Sequence, residues 1–246
     1  MKALILAAGY ATRLYPLTKN FPKSLLTVDG KPIIDHIVEK LSSLRQIDEI
    51  IVVTNSKFFR SFKNWKRKVK TNKKLTILDD LTTANEDRRG AIGDINFAIR
   101  NKKINDDLLV IGGDNLFQER LDEFLLISKT YNNAPVIGVY DLKDKVNAKK
   151  YGVLKLDRKN RVIDFQEKPE RPNSSLVGMC LYYFPKERLG LVSQYTKSRK
   201  KTSDATGSYI DWLRGKVEVY GFIFRGRWYD IGDFKYYNQA RKKFKE

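Results

Sequence analysis

Apolar runs alternate along this chain with segments in which apolar and polar positions follow a helical period. Lys2–Ala8 is a nearly continuous apolar run, and Leu108–Ile111 is another. Such runs are typical of strands that are covered on both faces. In Pro32–Leu44 the apolar side chains recur three and four positions apart, with proline in the first turn. This spacing predicts an amphipathic helix.

The order of the predicted elements indicates the fold class. Further strands are predicted over Glu49–Thr54, Leu75–Leu78 and Pro135–Tyr140, and further helices around Phe58–Trp65 and over Gly90–Ile99 and Glu119–Thr130. Strands that alternate with helices in this way favour an α/β fold with a mainly parallel sheet and right-handed crossovers.

After residue 140 the pattern changes. Two apolar segments, Tyr151–Leu156 and Arg161–Gln166, flank a polar turn and predict a hairpin. The later predicted elements are strands over Leu176–Phe184 and Lys216–Phe224 and helices over Lys186–Tyr195, over Ala205–Leu213 and from Phe234 to the end. Because no linker or repeat divides the chain, we expect one domain, 1–246. Its nucleotide-binding half would cover about residues 1–140, and a substrate-binding half about 141–246.

Basic residues outnumber acidic ones by 48 to 29, which gives a net charge of +19. The densest basic run, Lys57–Lys74, carries Phe58, Phe59, Phe62 and Trp65 at helical spacing. This pattern favours an amphipathic helix whose aromatic side chains pack on a sheet while its lysines face water. A nucleic-acid-binding surface is the alternative, but no zinc-finger, helix-turn-helix or RNA-recognition signature accompanies the charge. We therefore expect no nucleic-acid partner.

Composition narrows the class of protein further. No apolar run approaches the roughly 18 residues that a membrane span needs, and the apolar stretch after Met1 is too short for a signal peptide. The single cysteine, Cys180, cannot form an internal disulfide, and we expect it in the core. The single histidine, His36, lies in an apolar helix and is expected to be packed rather than catalytic. These features predict a cytoplasmic protein without a membrane partner.

The segment that follows the first strand is the first candidate for chemistry. This first loop (Ala7–Thr18) contains small residues and Arg13, and it leads on to Lys23. Small residues let backbone N–H groups approach phosphate oxygens, and the two cations supply permanent positive charge. A surface turn with solvated cations would explain each residue separately, but not the whole run directly after a buried strand. The pattern is neither a Walker loop nor a dinucleotide fingerprint.

Two carboxylates and one charged pair complete the candidate chemistry. Asp114 follows the strand Leu108–Ile111, and Asp230 precedes a glycine turn. Each alone would be an ordinary turn or cap residue, but together they offer the few protein oxygens that Mg²⁺ prefers beside phosphates and water. Glu167 and Lys168, followed by a proline, end a predicted strand and are otherwise interpreted as an exposed turn.

Taken in order, these motifs resemble the sugar-1-phosphate nucleotidylyltransferases, typified by glucose-1-phosphate thymidylyltransferase and its uridylyl and cytidylyl relatives. The matching segments are the loop from Leu6 to Arg13 with Pro22-Lys23, Gly113-Asp114, Tyr151-Gly152-Val153, Glu167-Lys168-Pro169, and Trp228 to Gly232 followed by Ala240. The resemblance implies a Rossmann-like mixed sheet, a dependence on Mg²⁺, and the joining of a nucleoside triphosphate to a sugar 1-phosphate with release of pyrophosphate.

The resemblance also implies roles for individual residues. Arg13 would bind the departing pyrophosphate and Lys23 the α-phosphate, while Asp114 and Asp230 would hold the metal. Gly152 and Glu167 would bind sugar hydroxyls, and Lys168 the sugar phosphate. The nucleotide-binding residues implied are Leu6, Ala7, Ala8, Gly9, Ala11, Thr12, Arg88 and Gly90. Since the attacking phosphate oxygen is already ionised, no general base is required, and catalysis would consist of positioning and charge neutralisation.

Departures from the family pattern leave parts of this hypothesis open. Ala11 stands where the family usually has glycine, and Asp79–Gly90 lacks the Gln…Pro-x-Gly segment by which the thymidylyl branch reads the base. We favour dTTP or UTP with glucose 1-phosphate; CTP or GTP with another sugar or alditol phosphate remains an alternative. Two competing hypotheses are a homologue that binds nucleotide without turnover and a basic nucleic-acid-binding protein. A homo-oligomer is also left open.

The family pattern also leads us to expect a monofunctional enzyme. In this chain no β-helix acyltransferase segment follows the catalytic module, and the extra C-terminal helices that some relatives use for allosteric feedback are missing.

Overall fold

A computed structural model describes residues 1–198 and 206–245. The strands are β1 (Lys2–Leu6), β2 (Thr27–Val28), β3 (Lys31–Pro32), β4 (Glu49–Thr54), β5 (Lys74–Asp79), β6 (Leu108–Gly112), β7 (Asn115–Phe117), β8 (Val136–Asp141), β9 (Gly152–Leu156), β10 (Val162–Glu167), β11 (Leu176–Phe184), β12 (Tyr220–Phe224) and β13 (Trp228–Asp230). The helices are α1 (Ile33–Ser43), α2 (Ser56–Lys66), α3 (Gly90–Asn101), α4 (Asp122–Thr130), α5 (Lys145–Ala148), α6 (Leu189–Ser198), α7 (Thr206–Arg214) and α8 (Phe234–Lys243). The chain divides into two compact units, each built from several segments.

The first unit comprises Met1–Arg89, Ile111–Leu121 and Gly226–Glu246. Its strands β1, β4 and β5 pair in parallel, with Leu6 of β1 opposite Val53 of β4. All six residues of β4 are buried, as the continuous apolar run predicts for a strand covered on both faces. Two short strands from distant parts of the sequence, β7 and β13, pair antiparallel in the same unit.

The basic segment after β4 forms α2, and three of its four aromatic side chains are buried as predicted, while Phe59 is only partly buried. Asn55 caps the helix by accepting a hydrogen bond from the Phe58 backbone N–H at 3.0 Å. Phe58, Phe62 and Trp65 face inward, while most of the lysines and arginines of the segment are exposed. The hydrophobic contacts of one face therefore explain the helix without a ligand for its charge.

The second unit comprises Gly90–Val110 and Asp122–Arg225. Strands β9 and β10 form the predicted hairpin, with Gly152 opposite Glu167. β11 pairs antiparallel with β8, and β12 pairs parallel with β8. Parallel pairing in the first unit and mixed pairing in the second confirm the predicted α/β class with a mixed sheet flanked by helices.

Some predicted boundaries were wrong, for reasons that lie outside the local pattern. The helix predicted from Glu119 begins at Asp122; the backbone N–H of Gln118 donates instead to the Arg227 carbonyl, next to the paired residues of β7 and β13. The strand predicted from Lys216 begins at Tyr220, because the N–H groups of Lys216 and Val217 both donate to the Leu213 carbonyl and close the last turn of α7. The last helix ends at Lys243, whereas it was predicted to continue to the end of the chain.

The prediction of a core position is confirmed for the single histidine but not for the single cysteine. His36 is buried, its Nε2 lies 2.9 Å from the Val28 carbonyl oxygen, and its ring packs edge-on against Phe244, as expected for a core histidine. Cys180 is not a core residue: it is only partly buried and has a φ of 52°, at the point where the β11–β8 register is irregular. A register irregularity of this kind interrupts the in–out alternation on which the prediction of a core position depended. Residues 199–205 lie outside the described chain, so the predicted start of a helix at Ala205 is not tested.

Candidate functional site

The first loop follows β1 directly and is held by hydrogen bonds from three sides. The Ala7 N–H donates to the Val53 carbonyl at 2.8 Å, and the Asn55 side-chain amide donates to the Ala8 carbonyl at 2.8 Å. Thr18 Oγ1 donates to the Ala11 carbonyl at 2.8 Å, and Ala11 has a left-handed φ of 50°. Gly9 is exposed with open space around it. The loop is therefore fixed at its ends while its glycine faces outward.

Gly113 brings the second candidate motif against the first. Its N–H donates to the Leu6 carbonyl at 2.8 Å. A Cβ atom at this position would lie 2.7 Å from Ser24 Oγ and 2.8 Å from the Leu6 carbonyl oxygen, so a larger residue does not fit. This close approach sets Asp114 beside Lys23, with which it forms an ion pair.

The pairing of β7 with β13 brings in the third motif. Asp230 lies opposite Asn115, and the Ile231 N–H donates to the Asp114 carbonyl at 3.1 Å. The indole N–H of Trp228 donates to the Asn115 side chain at 2.8 Å and fixes this pairing. A Cβ on Gly232 would lie 3.4 Å from Nη2 of Arg13 and 3.7 Å from Oδ2 of Asp230, which locates the guanidinium beside the second carboxylate.

Arg13, Lys23, Asp114 and Asp230 thus form one cluster of two cations and two carboxylates. Burial raises the pKa of Asp230 to about 6, and the negative charge of Asp114 adds to this effect while Lys23 and Arg13 oppose it. For Lys23, burial alone would lower the pKa, but Asp114 and Asp230 outweigh it and the pKa is raised.

The cluster fits a divalent cation. Burial is the main cause of the raised Asp230 pKa, and repulsion by the Asp114 carboxylate adds to it. A divalent ion with oxygen preference relieves this repulsion and needs few protein ligands when phosphates and water supply the rest. No group of three or more His, Cys, Asp or Glu side chains suited to a metal occurs in the described residues. Asp114 and Asp230 are two carboxylates that lie close enough to interact electrostatically.

The segment Asp79–Gly90, which takes the place of the family's base-reading segment, is ordered by its own side chains. Asp80 accepts from the Thr82 N–H at 2.8 Å, and Asp87 accepts from the Thr83 and Ala84 N–H groups. Arg88 is exposed and donates to the Asn85 carbonyl at 2.9 Å. Gly90 begins α3 in the second unit. The hydrogen bond that Arg88 makes with Asn85 therefore links two residues of the same segment and does not connect Arg88 to the cluster of Arg13, Lys23, Asp114 and Asp230.

Several residues to which the sequence analysis assigned no individual role support the site. The hydroxyl groups of Tyr10 and Thr82 lie 3.5 Å apart and connect the first loop to the segment Asp79–Gly90. Asn55 and Trp228 hold the first and third motifs through the hydrogen bonds given above, and the Ser24 side chain lies beside Gly113. Trp228 lies in one of the segments that carry the family resemblance, and Asn55 carries a local signal, because a polar residue between an apolar run and a helix predicts an N-cap.

The second unit holds the remaining predicted residues together. Gly152 and Glu167 are paired across β9 and β10, and the Lys168 ammonium lies 3.7 Å from Glu167 Oε1. The Lys168 N–H donates to the Tyr151 carbonyl at 3.0 Å, while its side chain is 63% exposed. Burial raises the pKa of Glu167, and the charge of Lys168 opposes the rise. A ligand would therefore meet the Glu167 carboxylate as a hydrogen-bond acceptor and the exposed Lys168 ammonium as a positive charge.

Among the described helices, none is both long enough and apolar enough to cross a lipid bilayer.

Comparison with known proteins agrees with this geometry. The chain is 33% identical over 237 residues to a protein of Methanocaldococcus jannaschii named bifunctional protein GlmU, and the match covers 94% of this chain and 51% of that protein. It is 32% identical over 235 residues to a bifunctional sugar-1-phosphate nucleotidylyltransferase/acetyltransferase of Sulfurisphaera tokodaii, covering 94% of this chain and 52% of the relative. The chain thus spans about half the length of the curated relatives it matches.

The solved structures show the same fold. A UDP-glucose pyrophosphorylase in complex with UDP-glucose superposes with a TM-score of 0.82 at 20% identity, covering 98% of this chain and 97% of that one. This likeness confirms the Rossmann-like nucleotidyltransferase fold that the resemblance implied. The family model described as nucleotidyl transferase matches residues 2–246. Over essentially its whole length, the chain belongs to the nucleotidyl transferase family.

Proposed function

We propose that this protein is a sugar-1-phosphate nucleotidylyltransferase, which joins a nucleoside triphosphate to a sugar 1-phosphate and releases pyrophosphate. UTP or dTTP and glucose 1-phosphate are the proposed substrates. The observation that carries the proposal is the cluster of Arg13, Lys23, Asp114 and Asp230 beside the first loop. Such a cluster matches the charges of a metal-bound triphosphate: cations for phosphate oxygens, carboxylates for the metal.

The first unit would bind the triphosphate. The backbone of Leu6 to Thr12 would surround the nucleotide, and Gly9 leaves its backbone open to phosphate oxygens. Arg13 would bind the β- and γ-phosphates and stabilise their charge as they leave. Lys23, held by Asp114, would contact the α-phosphate, where negative charge accumulates in the transition state. Arg88 and Gly90 are proposed to lie near the base.

The second unit would bind the acceptor. Glu167, with part of its carboxylate accessible, would accept hydrogen bonds from sugar hydroxyls, and the exposed ammonium of Lys168 would bind the sugar phosphate. A phosphate oxygen of the acceptor then attacks the α-phosphorus, a new P–O bond forms, and the bond between the α- and β-phosphates breaks. The electron pair of that bond leaves with pyrophosphate. Nucleophile and leaving group are both ionised, so no proton needs to be moved.

Mg²⁺ is the proposed cofactor, with Asp114 and Asp230 as its protein ligands. When bound, it would neutralise phosphate charge and orient the triphosphate. Neighbouring residues prepare the ligands: Asn115 and Trp228 fix the strand that carries Asp230, and Lys23 orients Asp114. A cytoplasmic location, a single-domain organisation and the absence of a nucleic-acid partner remain predictions.

Pyrophosphate release tests the proposal. The purified chain would be incubated with Mg²⁺ and each pair from a panel of dTTP, UTP, CTP or GTP with glucose, N-acetylglucosamine or mannose 1-phosphate. We expect release only when both substrates are present, with UTP or dTTP preferred, and an NDP-sugar as the second product. Lys66→Gln, on the exposed face of α2, is the control variant and should retain full turnover. Triphosphate hydrolysis without an acceptor, or no release with any pair, would contradict the proposal.

A further inference from the structure

Two glycines of the second unit border the side chains of Phe165 and Glu167. Gly152 lies opposite Glu167 in the β9–β10 hairpin, and Gly207 is the buried second residue of α7. A Cβ on Gly207 would lie 2.6 Å from Phe165 Cε1 and 3.1 Å from Glu167 Cδ, and it would overlap Oε2 of Glu167. A Cβ on Gly152 would lie 2.5 Å from Phe165 Cζ and 3.2 Å from the same carboxylate oxygen. Neither position has room for a side chain.

The helix itself does not require glycine at this place. Glycine in a helix costs about 0.5–1 kcal/mol relative to alanine, because it loses more backbone freedom on folding. Gly190 occupies the corresponding second position of α6, and nothing lies within 4 Å of where its Cβ would be. The close contact at Gly207 is thus specific to the side chains of β10 that pack against α7.

We propose that Gly207 is a positioning residue of the acceptor site: by lacking a side chain, it lets the Glu167 carboxylate rest against the first turn of α7 and holds it where it would receive the hydroxyl groups of the sugar. This inference rests on the proposed function. The buried Phe165 ring lies beside the carboxylate, since both side chains come close to the Cβ positions of Gly152 and Gly207. Glu167 keeps 25% of its side chain exposed, so a ligand can still reach it.

The surroundings of Glu167 agree with a carboxylate held in place rather than one free in solvent. Burial raises its pKa although Lys168 lies 3.7 Å away, and the buried phenol of Tyr182 is close enough to feel its charge. A methyl group at position 207 would push the carboxylate outward into water. The hydrogen bonds to the acceptor would weaken, whereas the triphosphate contacts of the first unit would not change.

Steady-state kinetics of Gly207→Ala tests the inference, with Gly190→Ala as the matched control. We expect the KM for the sugar 1-phosphate to rise by about ten- to a hundred-fold, which corresponds to the loss of one hydrogen bond to a charged group. The KM for the triphosphate should stay within about two-fold of wild type. Gly190→Ala should change neither. An unchanged acceptor KM in a folded Gly207→Ala variant overturns the inference.

A double-mutant cycle separates action through Glu167 from simple packing on Phe165. If Gly207 acts through the carboxylate, Gly207→Ala should change the acceptor KM by less than about two-fold in a Glu167→Ala background. The same rise in both backgrounds would show that the effect passes through Phe165, and would refute the positioning role. Should Gly207→Ala fail to fold, adding Phe165→Leu removes the ring contacts and retains the contact with Glu167, so the comparison can still be made.

A measurement without substrate distinguishes failure of this inference from failure of the proposed function. The pKa of Glu167 can be followed by NMR of protein labelled with ¹³C at glutamate carboxyl groups. In Gly207→Ala it should fall towards the ordinary glutamate value, and in Gly190→Ala it should not. This result would support the positioning role even if wild type released no pyrophosphate with any pair. An unchanged Glu167 pKa overturns it regardless of turnover.

Discussion

Replacing Asp230 by asparagine should stabilise the metal-free protein while it abolishes most of the Mg²⁺-dependent turnover. In the folded protein the pKa of this carboxyl is raised from 3.8 to about 6, first by burial and then by the neighbouring Asp114. Since the unfolded chain has the lower pKa, the folded protein prefers the protonated side chain. The ionised form therefore lowers stability above about pH 6, and this loss disappears as the pH falls towards 4.

The shift sets the size of the effect. A difference of about two pKa units corresponds to about 3 kcal/mol at neutral pH. Asparagine removes the charge, but its amide also needs hydrogen-bond partners, so we expect a net gain of about 1–3 kcal/mol. For a chain of this length that is a rise in Tm of about 2–10 °C. At pH 5 the gain should be smaller by about 1–1.5 kcal/mol, because the wild-type carboxyl is then largely protonated in the folded protein but still ionised in the unfolded chain.

Asp114→Asn is the matched control, because the same chemical change should have the opposite effect on stability. Asp114 is the partner of the Lys23 ammonium, whose side chain is only 17% exposed. Removing this charge leaves a buried cation poorly compensated and should cost about 1–3 kcal/mol. Both variants should lose most of their turnover at saturating Mg²⁺, since each lacks one proposed ligand.

The assay is thermal unfolding followed by circular dichroism, with chelator present, at pH 7.5 and pH 5, for wild type and the two variants. If Asp230→Asn lowered the Tm at pH 7.5 as Asp114→Asn does, the account of repelling carboxylates would be wrong. If either variant kept near wild-type pyrophosphate release at saturating Mg²⁺, the two-carboxylate metal site would be wrong.

Three further predictions concern the acceptor site, the first loop and the basic segment. Lys168→Ala should raise the KM for the sugar 1-phosphate by about ten- to a hundred-fold, whereas Lys23→Ala should act mainly on kcat, because the Lys23 charge stabilises the transition state at the α-phosphate. Steady-state kinetics in which each substrate is varied in turn test this, and a loss of triphosphate binding alone in Lys168→Ala would contradict it. Ala11→Gly should stabilise the protein by up to about 1 kcal/mol, because the free energy gained by relieving the positive φ of Ala11 exceeds the entropy that glycine adds to the unfolded chain. Urea unfolding measures this change, and a loss of stability would contradict the idea of strain in the first loop. Changing the exposed lysines of the basic segment, Lys63, Lys66, Lys68 and Lys70, to glutamine should leave turnover nearly unchanged. Tight, sequence-dependent binding of the wild-type protein to DNA or RNA at physiological salt would refute the prediction that these lysines only face solvent.

The sequence determined the elements whose burial follows from local pattern. Glu49–Thr54 has the predicted bounds, because a short run of β-branched apolar residues such as Ile50–Val53 is typical of a strand covered on both faces. Helix α2 follows from aromatic residues at helical spacing, and three of its four aromatic side chains are buried as expected. The candidate residues at the ends of strands, such as Asp114, were also predictable, because such positions lie at the edge where ligands of α/β sheets bind.

Local pattern did not show which of these residues meet: the family resemblance implied that Asp114 and Asp230 lie together, and only the tertiary structure shows how. Asp230 reaches Asp114 through the pairing of two three-residue strands, Asn115–Phe117 and Trp228–Asp230, which are too short to give a sequence pattern and stabilise each other only when folded. The same holds for Gly207, since a glycine in a helical segment carries no sign of the carboxylate that packs against it. Local periodicity reports whether a residue is buried, because burial depends on the face of its own element. Contact between residues far apart in sequence depends on the packing of many elements at once, and no local pattern encodes it.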